Sequence, residues 1–174
     1  MRLINQMTNH DVKELIGKCW ITHDGMWFAH TLFETDIKTA NRLNKAAIKA
    51  LAPIEIKRLK KILNVTDSQL DSFSALKDFF SNVSDLLIPE FMNVVITFSE
   101  PDKMNWAFNE KNCFAYNGVK MLGIVDEYEC GVLFRIKCWL EELGITYDMA
   151  PDVNLCIMPE KGVCRGRFKV HLSK

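Results

Sequence analysis

The hydrophobic period of this chain changes once, at Pro89. A chain that reads helical on one side of such a point and alternating on the other can bury its apolar residues only as helices packed on a sheet. Upstream, Leu15 and Ile16, Trp20, Trp27 and Leu32 recur at helical intervals over a stretch from 9 to about 34, weakened by Gly17 and Gly25, with Asn9 as its expected N-cap. A second helix is predicted over 36–52. A third is expected from Pro53, a residue suited to a first turn, to near Asn64. A fourth, capped at Asp67 or Ser68, runs through Leu70, Phe73, Leu76, Phe79 and Phe80 to Leu87 and stops at Pro89, which lacks the N–H that would continue it.

Downstream, Val94, Ile96 and Phe98 alternate with Val95, Thr97 and Ser99. Beyond Glu100-Pro101-Asp102-Lys103, Met104, Trp106 and Phe108 alternate with Asn105, Ala107 and Asn109. Two antiparallel strands joined by a turn follow, with a third near Cys113 to Tyr116. Asp126 with Glu129 is the expected capping box of a helix reaching about Leu143, closed by Gly144 in a left-handed conformation. The last segment supplies a strand over 146–149 or 154–158, a turn at Glu160-Lys161-Gly162, and a strand over 163–172. In that strand Cys164, Gly166, Phe168, Val170 and Leu172 share one face and Arg165, Arg167, Lys169 and His171 the other. The expected architecture is a single α+β domain over 1–174, with N-terminal helices followed by an antiparallel sheet that one helix interrupts.

With 174 residues the chain is long enough to bury a core without metal or disulfide staples. Its 22 basic and 22 acidic residues leave no net charge, so nothing draws it to nucleic acid. The first residues, Met1-Arg2-Leu3-Ile4-Asn5-Gln6, lack the apolar core and cleavage site of a secretory signal. No window approaches the roughly 18 apolar residues of a membrane span. The expected location is the cytoplasm, where the six cysteines stay reduced and read first as buried hydrophobes, then as metal ligands or reactive thiols, and last as disulfides.

Three constellations could carry chemistry. Cys130, Cys156 and Cys164, with Cys113 and Cys138 in reserve, come together if the terminal strands pair; three soft thiolates would suit zinc or iron and leave a coordination position open, whereas structural cysteines would simply pack. Cys130 at a helix N-terminus would be favoured as thiolate by the helix dipole. Trp20, His23, Trp27, His30 and Glu34 fall three and four apart on the first helix, and are expected to turn one stripe of indoles and imidazoles inward as the wall of a cavity; an aromatic core stripe is the plainer alternative. Lys38, Arg42, Lys45 and Lys49 form a basic helix face expected to be solvated. Arg165 and Arg167 could hold a carboxylate or merely protect a strand edge. Proton transfer or attack would fall to His23 with Asp24, or to Cys130. No glycine-rich phosphate loop, Gly-x-Ser-x-Gly elbow or His-Glu-x-x-His pair occurs.

The segments Cys19-Trp20-Ile21-Thr22-His23-Asp24-Gly25-Met26-Trp27-Phe28, Leu51-Ala52-Pro53-Ile54-Glu55-Ile56-Lys57-Arg58, Cys113-Phe114-Ala115-Tyr116 and Tyr128-Glu129-Cys130-Gly131 to Trp139-Leu140 resemble an uncharacterised bacterial and archaeal family related to L-2-amino-thiazoline-4-carboxylic acid hydrolases. From about 128 to 172, Cys130, Leu143-Gly144, Cys156, Gly162-Val163-Cys164 and Phe168-Lys169-Val170 resemble the C-terminal half of 4-vinyl reductase, or hydrocarbon-binding, domains, although Phe134 and Arg135 stand where those domains carry a second glycine. That second resemblance implies the α+β fold shared with haem–nitric-oxide-binding domains and vesicle-tethering subunits, and a metal at the three cysteines. The expected function is a small-molecule-binding or sensory domain with a pocket between helices and sheet. A hydrolase acting on a carbon–nitrogen bond of a small cyclic or amide-like amino-acid derivative is the alternative, and a protein-interaction module the third reading. Tyr116 and Arg135 join Trp20, Trp27, His30, Arg165 and Arg167 as ligand-binding candidates. The expected partners are a small molecule and a second copy of the chain, with neither nucleic acid nor membrane.

Overall fold

The computed structural model describes residues 2–108 and 112–172. Two long helices open the fold as an antiparallel pair. Helix α1 spans Asn9–Glu34 and α2 spans Ile37–Leu63. Thr8, one residue before the expected cap, closes α1 with a reciprocal box in which its hydroxyl accepts from Asp11 N at 3.1 Å and its own N–H donates to Asp11 Oδ2 at 2.9 Å. Asp36 caps α2 by accepting from Thr39 N at 2.7 Å. The predicted break at Pro53 is absent: α2 runs through it unbroken. The ring sits on the solvent side of the helix, where the carbonyl that loses its partner is left to water instead of to the core.

A single 3-10 turn at Asp67–Gln69 takes up the expected cap region, and α3, Phe73–Leu87, begins at Ser72, whose hydroxyl accepts from Ala75 N at 3.2 Å. This helix buries Phe73, Leu76, Phe79, Phe80 and Val83 along one face. Each such side chain contributes about 1.5–3 kcal/mol of burial free energy, which makes α3 the hydrophobic anchor of the helical layer. Strands β1, Val94–Ser99, and β2, Lys103–Phe108, form the predicted hairpin; Asn109 lies outside the described residues.

The segment expected as a third strand is instead a short helix, α4, Phe114–Met121. The Cys113 carbonyl accepts from Asn117 N at 2.9 Å, so the backbone groups a ladder would have used are satisfied within the helix. Helix α5, Gly131–Glu142, starts five residues after the expected cap at Asp126, with Cys130 in the N-cap position, and Gly144 closes its end at φ +70°. Strand β3 is Thr146–Ala150, the first of the two expected positions. The Glu160–Gly162 turn belongs to a one-turn helix α6, Met158–Lys161, and β4 is Arg165–His171.

The four strands are antiparallel in the order β1-β2-β4-β3. One face buries Met104, Trp106, Phe108, Phe168 and Val170 against α3 and α5, in a single core with Leu76, Phe80, Leu133 and Leu140. The other face carries Arg165, Arg167, Lys169 and His171 exposed to solvent, as the alternation required. At the centre Trp106 lies across Gly166, its register partner; a Cβ there would overlap the indole ring, so glycine is what lets the largest side chain of β2 fill the core. Among the described residues no helix is long and apolar enough to cross a membrane.

Candidate functional site: a thiol-lined cavity

Four points along the chain deliver cysteines to one place. Cys113 stands at the start of α4 and Cys130 at the N-cap of α5. Cys156 lies in the loop before α6, and Cys164 immediately precedes β4. Together with Phe108, Ala115, Tyr116, Tyr128, Val132, Val153, Ile157 and Met158 they line a cavity of about 20 Å³ between α4, the N-terminus of α5 and the end of the sheet. That is room for roughly one water molecule. The lining is apolar apart from four thiols and two phenols, and all the cysteines are free. Cys138, the other reserve, lies buried on α5 and does not reach this cavity.

The cavity is held in place by polar side chains of α2. Asn41, buried in that helix, donates to the Glu127 carbonyl at 2.8 Å and accepts from Glu129 N at 3.1 Å. Lys45 forms an ion pair with Glu129, donates to Asn154 Oδ1 at 2.7 Å and lies 5.2 Å from the Phe134 ring, so it is removed from the solvated basic face on which the sequence placed it. Between them these two residues fix both loops that carry the site, since Cys130 N donates to Asn154 O at 2.7 Å and Cys156 N to Tyr128 O at 3.1 Å. Tyr128 completes the frame by accepting from Gly131 N at 3.1 Å. Gly131 has no room for a side chain: a Cβ would lie 2.9 Å from Asn44 Nδ2.

Burial decides the protonation of these thiols. Cys130 is pushed up to about 12 by loss of solvent, with the neighbouring cysteines adding to the shift, and Cys164 to about 11 for the same leading reason. Cys113 and Cys156 move upward too, again chiefly through burial. The expected dipole-stabilised thiolate at Cys130 is therefore overturned, because removal from water outweighs the contacts at the helix start, where the Leu133 N–H favours the anion. The Trp106 side chain beside Cys164 opposes the shift there. Among the described residues no group of three His, Cys, Asp or Glu side chains is disposed to hold a metal ion.

The aromatic stripe of α1 does not face inward. His23, Trp27 and His30 are exposed, Trp27 to 66%, and the Trp27 indole donates to His23 Nε2 at 3.1 Å on the helix surface. The inner face of α1 lies further round the helix: Gly17 rests on Pro89, where a Cβ would overlap the proline ring, and Phe28 meets Tyr128 edge-on at 5.5 Å between centroids. Neither His23 nor Asp24 lines the cavity that holds Cys130, so the three candidate catalytic groups do not share it. Asp24 is exposed on α1, but the crowding of its carboxylate by neighbouring protein raises its pKa, with Arg135 and His23 opposing. Arg165 and Arg167 lie on the exposed face of the sheet, and of the ligand-binding candidates Tyr116 alone reaches the cavity.

Arg135 belongs to a feature the sequence did not suggest. Its guanidinium makes two hydrogen bonds to Glu55, one from Nε at 3.1 Å, and lies between Trp20, 4.6 Å from that ring centre, and Trp139 at 5.4 Å. Glu55 also accepts from Trp139 Nε1 at 2.8 Å. One buried carboxylate thus ties α2 to α5 while the arginine reaches α1. The legible signal was Glu55 itself, a charge set among Ala52, Ile56 and Leu59 on the core face of α2.

Nearly three quarters of this chain, from its N-terminal end, match a protein family. A family of unknown function, DUF6125, covers residues 5–132, from the start of the helical layer to the first turn of α5. The chain belongs to that family. The family match takes in Cys113 and Cys130 and ends before Cys156 and Cys164. No curated protein and no solved structure matches the chain.

Proposed function

We propose that this chain is a small-molecule-binding or sensory domain whose site is the thiol-lined cavity. The observation that carries this reading is the convergence of four free cysteines, from four separate points of the chain, on one apolar space at the end of the sheet. Protonated thiols are weak hydrogen-bonding groups and polarizable surfaces, so the cavity suits an uncharged, apolar or polarizable ligand better than an anion. Its present volume fits a water-sized occupant, and anything larger enters by displacement of α4. That helix is the natural element to move: of its eight residues only Val119 is fully buried. A hydrolase reading is less well supported, because His23 and Asp24 stand apart from Cys130.

The test is native mass spectrometry of protein purified without oxygen, followed by a thermal-shift screen of small uncharged molecules. A ligand that binds the folded state raises the melting temperature by mass action. Ala115→Val, which narrows the cavity from α4 with the smaller of the apolar enlargements, is expected to keep the circular dichroism spectrum of the folded chain and to abolish both the co-purifying mass and the shift. Absence of any bound mass together with no shift across the screen would count against the proposal, as would a shift that survives undiminished in folded Ala115→Val.

A further inference from the structure

Helix α1 is apolar on two sides. Its inner side meets Pro89, Tyr128 and Arg135, yet its outer side exposes Leu15, Ile16, Met26, Trp27 and Phe33 to between 52% and 66%. Leu15, Cys19, Thr22, Met26, Ala29 and Phe33 succeed one another at intervals of four, three, four, three and four, the spacing of the a and d positions of a helix that packs along another helix. Ile16 and Trp27 flank this seam. Within it, Ala29 alone is already buried by the protomer.

We propose that the outer face of α1 is a homodimer interface, in which α1 of one chain pairs with α1 of a second copy. The area fits. Five large side chains exposed to that degree present on the order of 550 Å² of apolar surface, taking large apolar side chains at roughly 200 Å² each. A stable interface takes about 800 Å² per partner, of which about 65% is apolar in homodimers. The outer face therefore matches the apolar area a dimer needs, with His23 and His30 as its polar margin.

A knobs-into-holes seam requires a facing helix of the same repeat, and α1 is itself such a helix. Charge argues against a membrane surface as the occupant: α1 carries Lys13 and Lys18 against Asp11, Glu14, Asp24 and Glu34, the reverse of the basic rim that a lipid-facing helix uses. The face is also pre-organised. The Thr8–Asp11 box fixes the start of the helix, the Glu14 carboxylate accepts from Glu90 N at 2.5 Å, and Trp20 rests on Arg135, so little order is lost on pairing.

Light scattering coupled to size exclusion, at tens of micromolar chain, is the deciding measurement. The wild-type protein is expected at twice its 20.1 kDa chain mass. Leu15→Glu with Met26→Glu places two charges on the seam at positions exposed in the protomer, and is expected to halve the mass with an unchanged circular dichroism spectrum. Met121→Glu, on the 88% exposed end of α4, is expected to remain dimeric. A monomeric wild type would overturn the proposal. So would a seam variant that stays dimeric, or a Met121→Glu variant that falls apart equally.

Discussion

Two opposing effects meet on the sulfur of Cys130. The N-terminus of α5 offers it partial positive charge, worth about 0.3–1 kcal/mol, while removal from water moves buried groups by as much as 3–5 pKa units. Burial wins, and the thiol stays protonated at neutral pH. Cys19, exposed on α1 of the protomer, is thus expected to account for the fast phase of labelling by a thiol-specific reagent at pH 8 in the Leu15→Glu, Met26→Glu chain, whose seam is open, and Cys19→Ser in that background to remove it. Labelling of Cys130 and Cys164 should be slow at pH 8 and keep rising with pH up to about 11–12 before it levels off, since only a small fraction of either is thiolate below that range. Asp24 follows the same logic with a testable sign. Its folded-state pKa lies above the ordinary value of 3.8, so the folded chain binds this proton more tightly and loses stability as pH rises through the folded value. Asp24→Asn is therefore expected to stabilise more at pH 7 than at pH 3.5, as measured by urea unfolding at both. Glu55→Ala leaves Arg135 and the Trp139 N–H without their partner, and is expected to cost about 3 kcal/mol in the same assay. The cysteines were legible in the sequence as a group because their residue type is rare and chemically distinct. The Glu55–Arg135–Trp139 clamp was not, because nothing in the spacing of residues 55, 135 and 139 shows that α2 and α5 cross there.

Elements were easiest to read where local and tertiary demands agreed. The hairpin β1–β2, helix α3 and strand β4 came through because alternation or helical period coincided with the face that the core required. Pro53 misled because a proline's effect depends on which side of the helix it occupies, and its exposure is a property of the packed molecule. The segment 113–116 misled because a short apolar run has no period long enough to separate strand from helix, and the sheet offered it no partner. The two glycines of α1 make the same point in opposite directions. Gly25 has nothing within 4 Å of a Cβ position, so Gly25→Ala is expected to stabilise by about 0.5–1 kcal/mol through helix propensity. Gly17 is pressed on Pro89, so Gly17→Ala is expected to destabilise by about 1–3 kcal/mol through overpacking. Thermal unfolding of the two variants side by side distinguishes a glycine kept for contact from one that merely weakens the helix.

At the scale of the whole molecule the inner face of α1 is what the sequence reading misplaced, by turning the His23–Trp27–His30 stripe inward. Both sides of the helix carry large apolar residues, so periodicity alone could not say which would meet the body; Pro89 and Tyr128 settle it. The order of the strands has a consequence in time. The hairpin β1–β2 can form from neighbouring residues, but β3 has no ladder partner until β4 enters between it and β2. The segment that closes the sheet also delivers Cys164. Sheet and cavity are therefore completed by the same pairing, and a chain in which β4 has not entered would hold a helical layer and a loose hairpin, with Cys164 still apart from the other three thiols.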